Sequence, residues 1–318
     1  MLRFSTDDFP QDKRVEAYRE IFGRTIVKHD LEPIGDQPFH FEASLCSLPG
    51  LGLASSLISP CRRSHGPQHI DSDDLVLGVG LAGGCVVQQR GREAVIGAGE
   101  AVLTSCADPA DVVIASASRS ISLRIPYSIL RPRIADVDAC LSRRIPRSAE
   151  GLPLLAGYIG AILGAEELAK PGLRNLVVAH VYDLVSLILG PKDEARELAE
   201  QRGVPAARRS EILRAIENRC GDAGLSAATI AALLGVTPRY IHFLLEQTGR
   251  SFTHHVLDHR LERAAALLRD PQWRDRKIAH IATEAGFTDL SYFSRVFRRK
   301  YGATPSDMRA AASDACRE

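Results

Sequence analysis

The chain has 318 residues, enough for about two domains. Its 40 Lys and Arg nearly balance 39 Asp and Glu. The net charge of +1 excludes a uniformly basic nucleic-acid coat and an acidic disordered tail. With 45% hydrophobic and 25% charged residues it can build ordinary cores. No apolar run approaches the roughly 18–20 residues of a membrane span, and Met1 to Arg14 lacks the apolar stretch of a signal peptide. The expectation is a soluble, cytoplasmic protein without cofactor or membrane partner.

The average hides an asymmetry. Residues 1–201 carry 21 Lys/Arg against 26 Asp/Glu, a net of −5, and residues 202–318 a net of +6. A basic C-terminal part hints at a polyanionic partner. Seven cysteines (46, 61, 85, 106, 140, 220 and 316) include no CxxC pair and no zinc-site spacing, and read as scattered reduced thiols.

In chain order, residues 11–23 predict a short amphipathic helix, with Val15, Tyr18, Ile21 and Phe22 at helical spacing. From about 41 to 126, short apolar or alternating runs at 51–59, 75–82, 85–89, 93–97, 100–105, 111–116 and 120–126 are separated by turn residues. They predict a sandwich or small barrel, with Gly83-Gly84 and Gln89-Arg90-Gly91-Arg92 as hairpin turns. Two strongly apolar helices follow between about 151 and 189. They must cover their faces with the barrel or with the same pair in a second subunit; a helical dimer interface is the preferred reading. Residues 191–208 read as a linker, part of it helical.

From 209 onward about seven helices are expected and no strand. Here one pattern occurs twice, as LSAATIAALLGVTPRYIHFLLEQ from Leu225 and KIAHIATEAGFTDLSYFSRVFRRK from Lys277. Each is a short helix, a turn with Gly235 or Gly286, and a second helix that Thr237 or Asp289 can cap. Ile230, Ala231 and Leu234 point inward in the first copy, and Ile278, Ile281 and Ala282 in the second. This is the helix-turn-helix layout, at about 225–247 and 277–300. Residues 253–269 would form the helix between the copies, with Leu257, Leu261, Ala264, Ala265 and Leu268 as its buried stripe. The second helix of each copy can enter a major groove about 12 Å wide, and two copies could read successive grooves about 34 Å apart.

Residues 209–312 resemble the DNA-binding domain of the AraC/XylS transcription regulators. The segment IATEAGFTDLSYFSRVFRRKYGATPSDMR carries the family signature at Ile281, Ala282, Gly286, Phe287, Tyr292, Phe293, Phe297, Tyr301, Gly302, Pro305 and Arg309. The first copy agrees at Leu233, Gly235, Pro238, Tyr240, Gly249, Ser251, Phe252, Arg260, Leu261 and Ala264. The resemblance implies base contacts from Arg239, His242 and Phe243 in the first copy and from Leu290, Ser291, Ser294 and Arg295 in the second. Arg239 and Arg295 suit guanine O6/N7. Ser251, Arg298, Arg299 and Lys300 are better placed for phosphates, unless they only solvate the helix face. Tyr292, Phe293 and Phe297 read as core. Phe243 and Leu245 depart from the family's usual residues, which puts base reading by the first copy in doubt.

The N-terminal part resembles, less specifically, the cupin-like ligand-binding and dimerisation region of the same family. The expected fold is therefore α+β in two domains: a cupin-like β-barrel with flanking helices at 1–190, and an all-α domain with two helix-turn-helix motifs at 209–318. The resemblance also implies double-stranded DNA, a small-molecule effector, a homodimer and, for an activator, RNA polymerase as partners. Arg62, Arg63, His65 and His69 are the candidates for meeting an acidic effector, or else form an exposed loop. No HxH pair is present, so no metal site and no catalytic residue are expected. An effector-independent regulator and a cupin-type enzyme fused to a DNA-binding domain are the alternatives.

Overall fold

The computed structural model describes residues 1–163, 171–192, 195–196 and 199–314. Cys316 lies outside them. The chain forms two compact units, Met1–Ala207 and Arg208–Glu318.

The first unit is built from antiparallel strands. They are β1 (Leu2–Ser5), β2 (Asp30–Pro33), β3 (Phe41–Leu48), β4 (Leu51–Ile58), β5 (Cys61–His65), β6 (Leu75–Ala82), β7 (Cys85–Gln89), β8 (Arg92–Ile96), β9 (Ala101–Ser105), β10 (Ala110–Ile114), β11 (Ser118–Ile125) and β12 (Arg144–Ile145). One sheet has the order β1-β3-β4-β11-β6-β9-β12 and the other β2-β5-β10-β7-β8. Strands β1 and β2 thus add to the sheets from outside the 41–126 stretch. Arg90-Gly91 closes the β7–β8 hairpin, with Gln89 paired to Arg92. Gly83-Gly84 joins strands of different sheets, so it is a crossover and not the expected hairpin turn. Ser118 Oγ holds it by accepting from Gly84 N and donating to Gly84 O.

Helices α1 (Arg14–Thr25), α2 (Tyr127–Leu130), α3 (Val137–Cys140), α4 (Leu152–Ile162) and α5 (Pro171–Leu189) complete this unit. The two-residue period of the strands splits the larger sheet into two faces. Leu75, Leu77 and Val79 on β6, Leu103 on β9, and Ile121, Leu123 and Ile125 on β11 share a core with Leu155 and Ile159 of α4 and Val181, Leu184 and Val185 of α5. Most of the apolar residues of α4 and α5 are therefore covered by the chain's own sheet, while Leu176 of α5 stays exposed. Burying each such side chain contributes about 1.5–3 kcal/mol. By length and composition, Gly172–Leu189 could cross a membrane, contrary to the run-length reading. Yet this helix holds Asp183 with no exposed surface, paired to Arg133 at 3.1 Å and to Arg202 at 2.7 Å.

That second pair fastens a π-helical turn, Ala199–Gly203, against α5. Ala199 and Gly203 are buried. Much of the stretch read as a linker is thus folded, and helix α6 (Val204–Arg219) begins inside it.

The second unit contains helices only, among the described residues: α7 (Ala227–Leu234), α8 (Pro238–Glu246), α9 (Phe252–Arg269), α10 (Ile278–Glu284), α11 (Leu290–Tyr301) and α12 (Pro305–Asp314) follow α6. Helix α9 serves two cores. Its N-terminal Phe252 and Val256 pack with Ile230, Ile241 and Leu244. Its later Leu261, Ala264, Ala265 and Leu268 pack with Ile281, Phe293 and Phe297. The stripe predicted from sequence is this second contact.

Candidate nucleic-acid interface and barrel cavity

Each helix-turn-helix starts from local chemistry. Ser226 Oγ accepts from Thr229 N to start α7, and Gly235 ends it at φ 66°. Thr237 accepts from Tyr240 N to start α8, with Pro238 in the first turn where no amide hydrogen is needed. Helices α7 and α8 meet at 106°, within the range of the motif. In the second copy Gly286 turns at φ 94°, and Asp289 accepts from Tyr292 N to start α11.

Helix α11 is sharply two-sided. Phe293, Val296 and Phe297 are buried, while Leu290, Ser291, Ser294, Arg295, Arg298 and Arg299 lie on the exposed face. Tyr292, expected in the core, is 39% exposed. It falls one position outside the Phe293–Val296–Phe297 stripe, and its ring lies 5.7 Å from the Arg295 guanidinium carbon. Ser294 Oγ donates to Leu290 O at 2.9 Å, so it can offer DNA an acceptor but not that hydrogen. Among the described residues Arg239, Arg295, Arg298 and Arg299 make no ion pair.

The Lys300 ammonium lies 3.1 Å from Asp258 and 3.0 Å from Glu262, both on α9, so it braces α11 against α9. Ser251 caps α9 through His254 N. On α8, Arg239, His242 and Phe243 are exposed, and Phe243 stacks on Tyr240 with ring centroids 6.3 Å apart. That first surface is less cationic and more apolar than the second.

The two copies are tied together at one junction. Arg260 of α9 donates from Nε to Cys220 O and from Nη2 to Asp222 O, both at 2.8 Å. The turn at Gly286 presses on the same Cys220 carbonyl. Arg263 meets the Glu284 carboxylate at 3.0 Å.

The first unit encloses a cavity of about 120 Å³. Its walls follow from the strand period. Gly78 faces Ser122 and Gly80 faces Ser120 across β6 and β11; a side chain at Gly78 would meet only the edge of Val102, so space stays open there, whereas at Gly80 the Gly97 carbonyl packs close. Ile26, Val76, Val87, Val102, Val112 and Ile114 supply apolar walls.

Cys61–His65, which sequence left as a loop candidate, is a strand. Arg63 and His65 reach the cavity from it. Arg62, exposed and of the other parity, and His69 do not line the cavity. His69 instead lies 3.7 Å from Asp30. His65 lines the wall, but its ring nitrogens face the carbonyls of Lys28 at 2.6 Å and Cys106 at 2.9 Å and are committed to the fold.

Sequence reasoning missed Tyr18 and His29, which bond at 2.7 Å beside Arg63. Burial drives the Tyr18 phenol well above its ordinary range and holds the His29 imidazole well below its own, so both are neutral. Burial also raises the thiols of Cys61 to about 11 and Cys106 to about 12. Their only signal in sequence was the helical spacing of Tyr18 and Phe22. Among the described residues no group of three or more His, Cys, Asp or Glu is arranged to hold a metal ion.

A sheet-rich unit with an internal cavity, followed by a helical unit with two exposed recognition helices, defines the class of two-domain helix-turn-helix regulators. Residues 18–190 match the AraC-binding-like domain and residues 230–311 a helix-turn-helix domain. The chain belongs to the AraC/XylS family of transcription regulators. It is 33% identical over 174 residues to the transcriptional activator RhrA of Rhizobium meliloti, covering 54% of this chain and 53% of that protein. It is 26% identical over 227 residues to the transcriptional activator NphR of a Rhodococcus species, covering 70% and 66%. The match thus spans about half of the length of RhrA and just under two thirds of NphR. The solved AraC-like transcriptional activator CuxR shares 20% identity and a TM-score of 0.49 over 83% of this chain and 95% of its own.

Proposed function

We propose that this protein is a sequence-specific transcription activator that binds double-stranded DNA through α8 and α11, under the control of a small molecule held in the barrel cavity. The observation that carries the DNA-binding part is the exposed face of α11. Arg295 sits in its first two turns beside Ser291 and Ser294, where a recognition helix meets base edges. Arg298 and Arg299 extend the same face with positive charge for phosphates. Arg239 and His242 of α8 supply a second, weaker reading head. RhrA and NphR are named as activators, which favours activation through contact with RNA polymerase and a cytoplasmic place of action. The same reading includes a homodimer, formed through surface that α4 and α5 leave free of the sheet, such as the exposed Leu176.

The test is a mobility-shift titration of the full chain on its promoter duplex and on a scrambled duplex, across a range of salt. Tighter, salt-dependent binding to the promoter is expected. Equal affinity for both duplexes would overturn the proposal.

A further inference from the structure

One charge in the barrel has no counter-ion. Cys61, Arg63 and His65 alternate onto the inner side of β5, and Leu31 and Val112 flank Arg63 on the neighbouring strands. Arg63 is half-buried and lines the cavity. Its Nε has no hydrogen-bond partner, the one buried side-chain nitrogen or oxygen in that position among the described residues. The groups around the guanidinium are the Tyr18 hydroxyl, the Cys61 and Cys85 thiols, and the Phe22 ring 6.0 Å away. All are uncharged, and the cavity lining includes no Asp or Glu.

Elsewhere in the same unit the buried ion is paired: Asp183 has two arginines. A guanidinium cannot escape the mismatch by losing its proton, and a buried charge normally has a partner. An anion entering the cavity would supply that partner.

The rest of the cavity defines what the anion is attached to. About 120 Å³ is close to the roughly 150 Å³ of an apolar cavity that admits benzene. Two of the lining hydroxyls, Thr104 and Ser118, spend their hydrogens on backbone carbonyls, and the polar groups that remain are few beside the aliphatic walls. A planar carboxylate matches the two-pronged guanidinium. Arg119, exposed at the rim, adds positive charge along the way in.

We infer that the cavity binds a small apolar monocarboxylate, with its carboxylate on Arg63 and its hydrocarbon part against the aliphatic walls. This rests on the reading of the barrel as the effector unit and names the class of effector.

The experiment measures thermal stabilisation and calorimetric binding of the full chain with benzoate and hexanoate, and with the neutral benzamide and hexanamide. The carboxylates are expected to raise the melting temperature in a saturable way, and the amides to do so at least tenfold more weakly in concentration. Arg63→Met should keep the fold, because it removes an unpaired buried charge, and should lose the carboxylate response at least tenfold. Arg62→Met, on the outer side of the same strand, should keep it.

Equal response to amides and acids, no response to either acid, or an undiminished response in folded Arg63→Met would overturn the inference. If Arg63→Met does not fold, the comparison of acid with amide on the unmodified chain decides alone. Promoter binding of the same preparations, read separately, keeps the failure of this inference distinct from failure of the regulator reading.

Discussion

In the first helix-turn-helix copy, α7 ends at Gly235 and α8 starts on Thr237; in the second, the turn falls on Gly286 and α11 starts on Asp289. The backbone solution is the same in both, a left-handed residue followed by a side-chain cap. The surroundings are not. A side chain at Gly235 would meet open space, whereas one at Gly286 would run into the Cys220 carbonyl and Arg260. The exposed faces differ too. Helix α8 offers Arg239, His242 and the 55%-exposed Phe243, while α11 offers three unpaired arginines. A repeated motif can therefore keep its scaffold while one copy becomes the structural anchor and carries the more cationic exposed face.

The largest expected effect is on that anchor. Phe297→Ala removes a fully buried ring from the core shared by α9, α10 and α11, and should destabilise the helical unit by about 3–5 kcal/mol in denaturant unfolding. Gly235→Ala isolates the backbone term, at about 1–2 kcal/mol. Gly286→Ala should add to that about 1–3 kcal/mol for displacing its neighbours. Equal losses at the two glycines would break the contrast between the copies.

Next come the readers. Arg295→Ala should weaken the promoter complex by about 1–3 kcal/mol and relax selectivity at one base pair, measured by binding to a single-substitution duplex series. Arg239→Ala should cost less in the same assay; the opposite ranking would make α8 the dominant reader. The smallest effects separate two neighbouring cations. Arg298→Ala should reduce the slope of log affinity against log salt by about 1. Lys300→Ala should leave that slope unchanged and cost stability by less than about 1 kcal/mol, as partly exposed ion pairs do.

Much of this was legible in the sequence, for physical reasons. Gly235, Thr237, Gly286 and Asp289 act on their immediate neighbours, so the motif could be read locally. The buried stripe of α9 follows helical spacing and was equally plain. The ion pairs of Lys300 could not be read locally because its partners, Asp258 and Glu262, stand 42 and 38 residues earlier in the chain. In β5 the inward residues are Cys61, Arg63 and His65. Strand periodicity is recognised by apolar alternation, and a cation on the inner face erases that signal. The apolar faces of α4 and α5 showed that something must cover them, but apolarity does not name its partner. Nothing local distinguished this chain's sheet from a second subunit. The cavity itself depends on Gly78 standing in register with Ser122, a pairing between strands about 40 residues apart.

Arg260 sets a ruler. It grips the backbone carbonyls of Cys220 and Asp222 at the very point where the Gly286 turn rests, so the interval between α8 and α11 is held by main-chain atoms. Adding one base pair between the two stretches of DNA that these helices address would shift the far stretch by about 3.4 Å and rotate it by about 35° around the duplex axis. A protein with a loose joint would swivel to follow. One clamped like this will require its promoter to keep a fixed phase, and will tolerate altered letters in either stretch better than a changed distance between them.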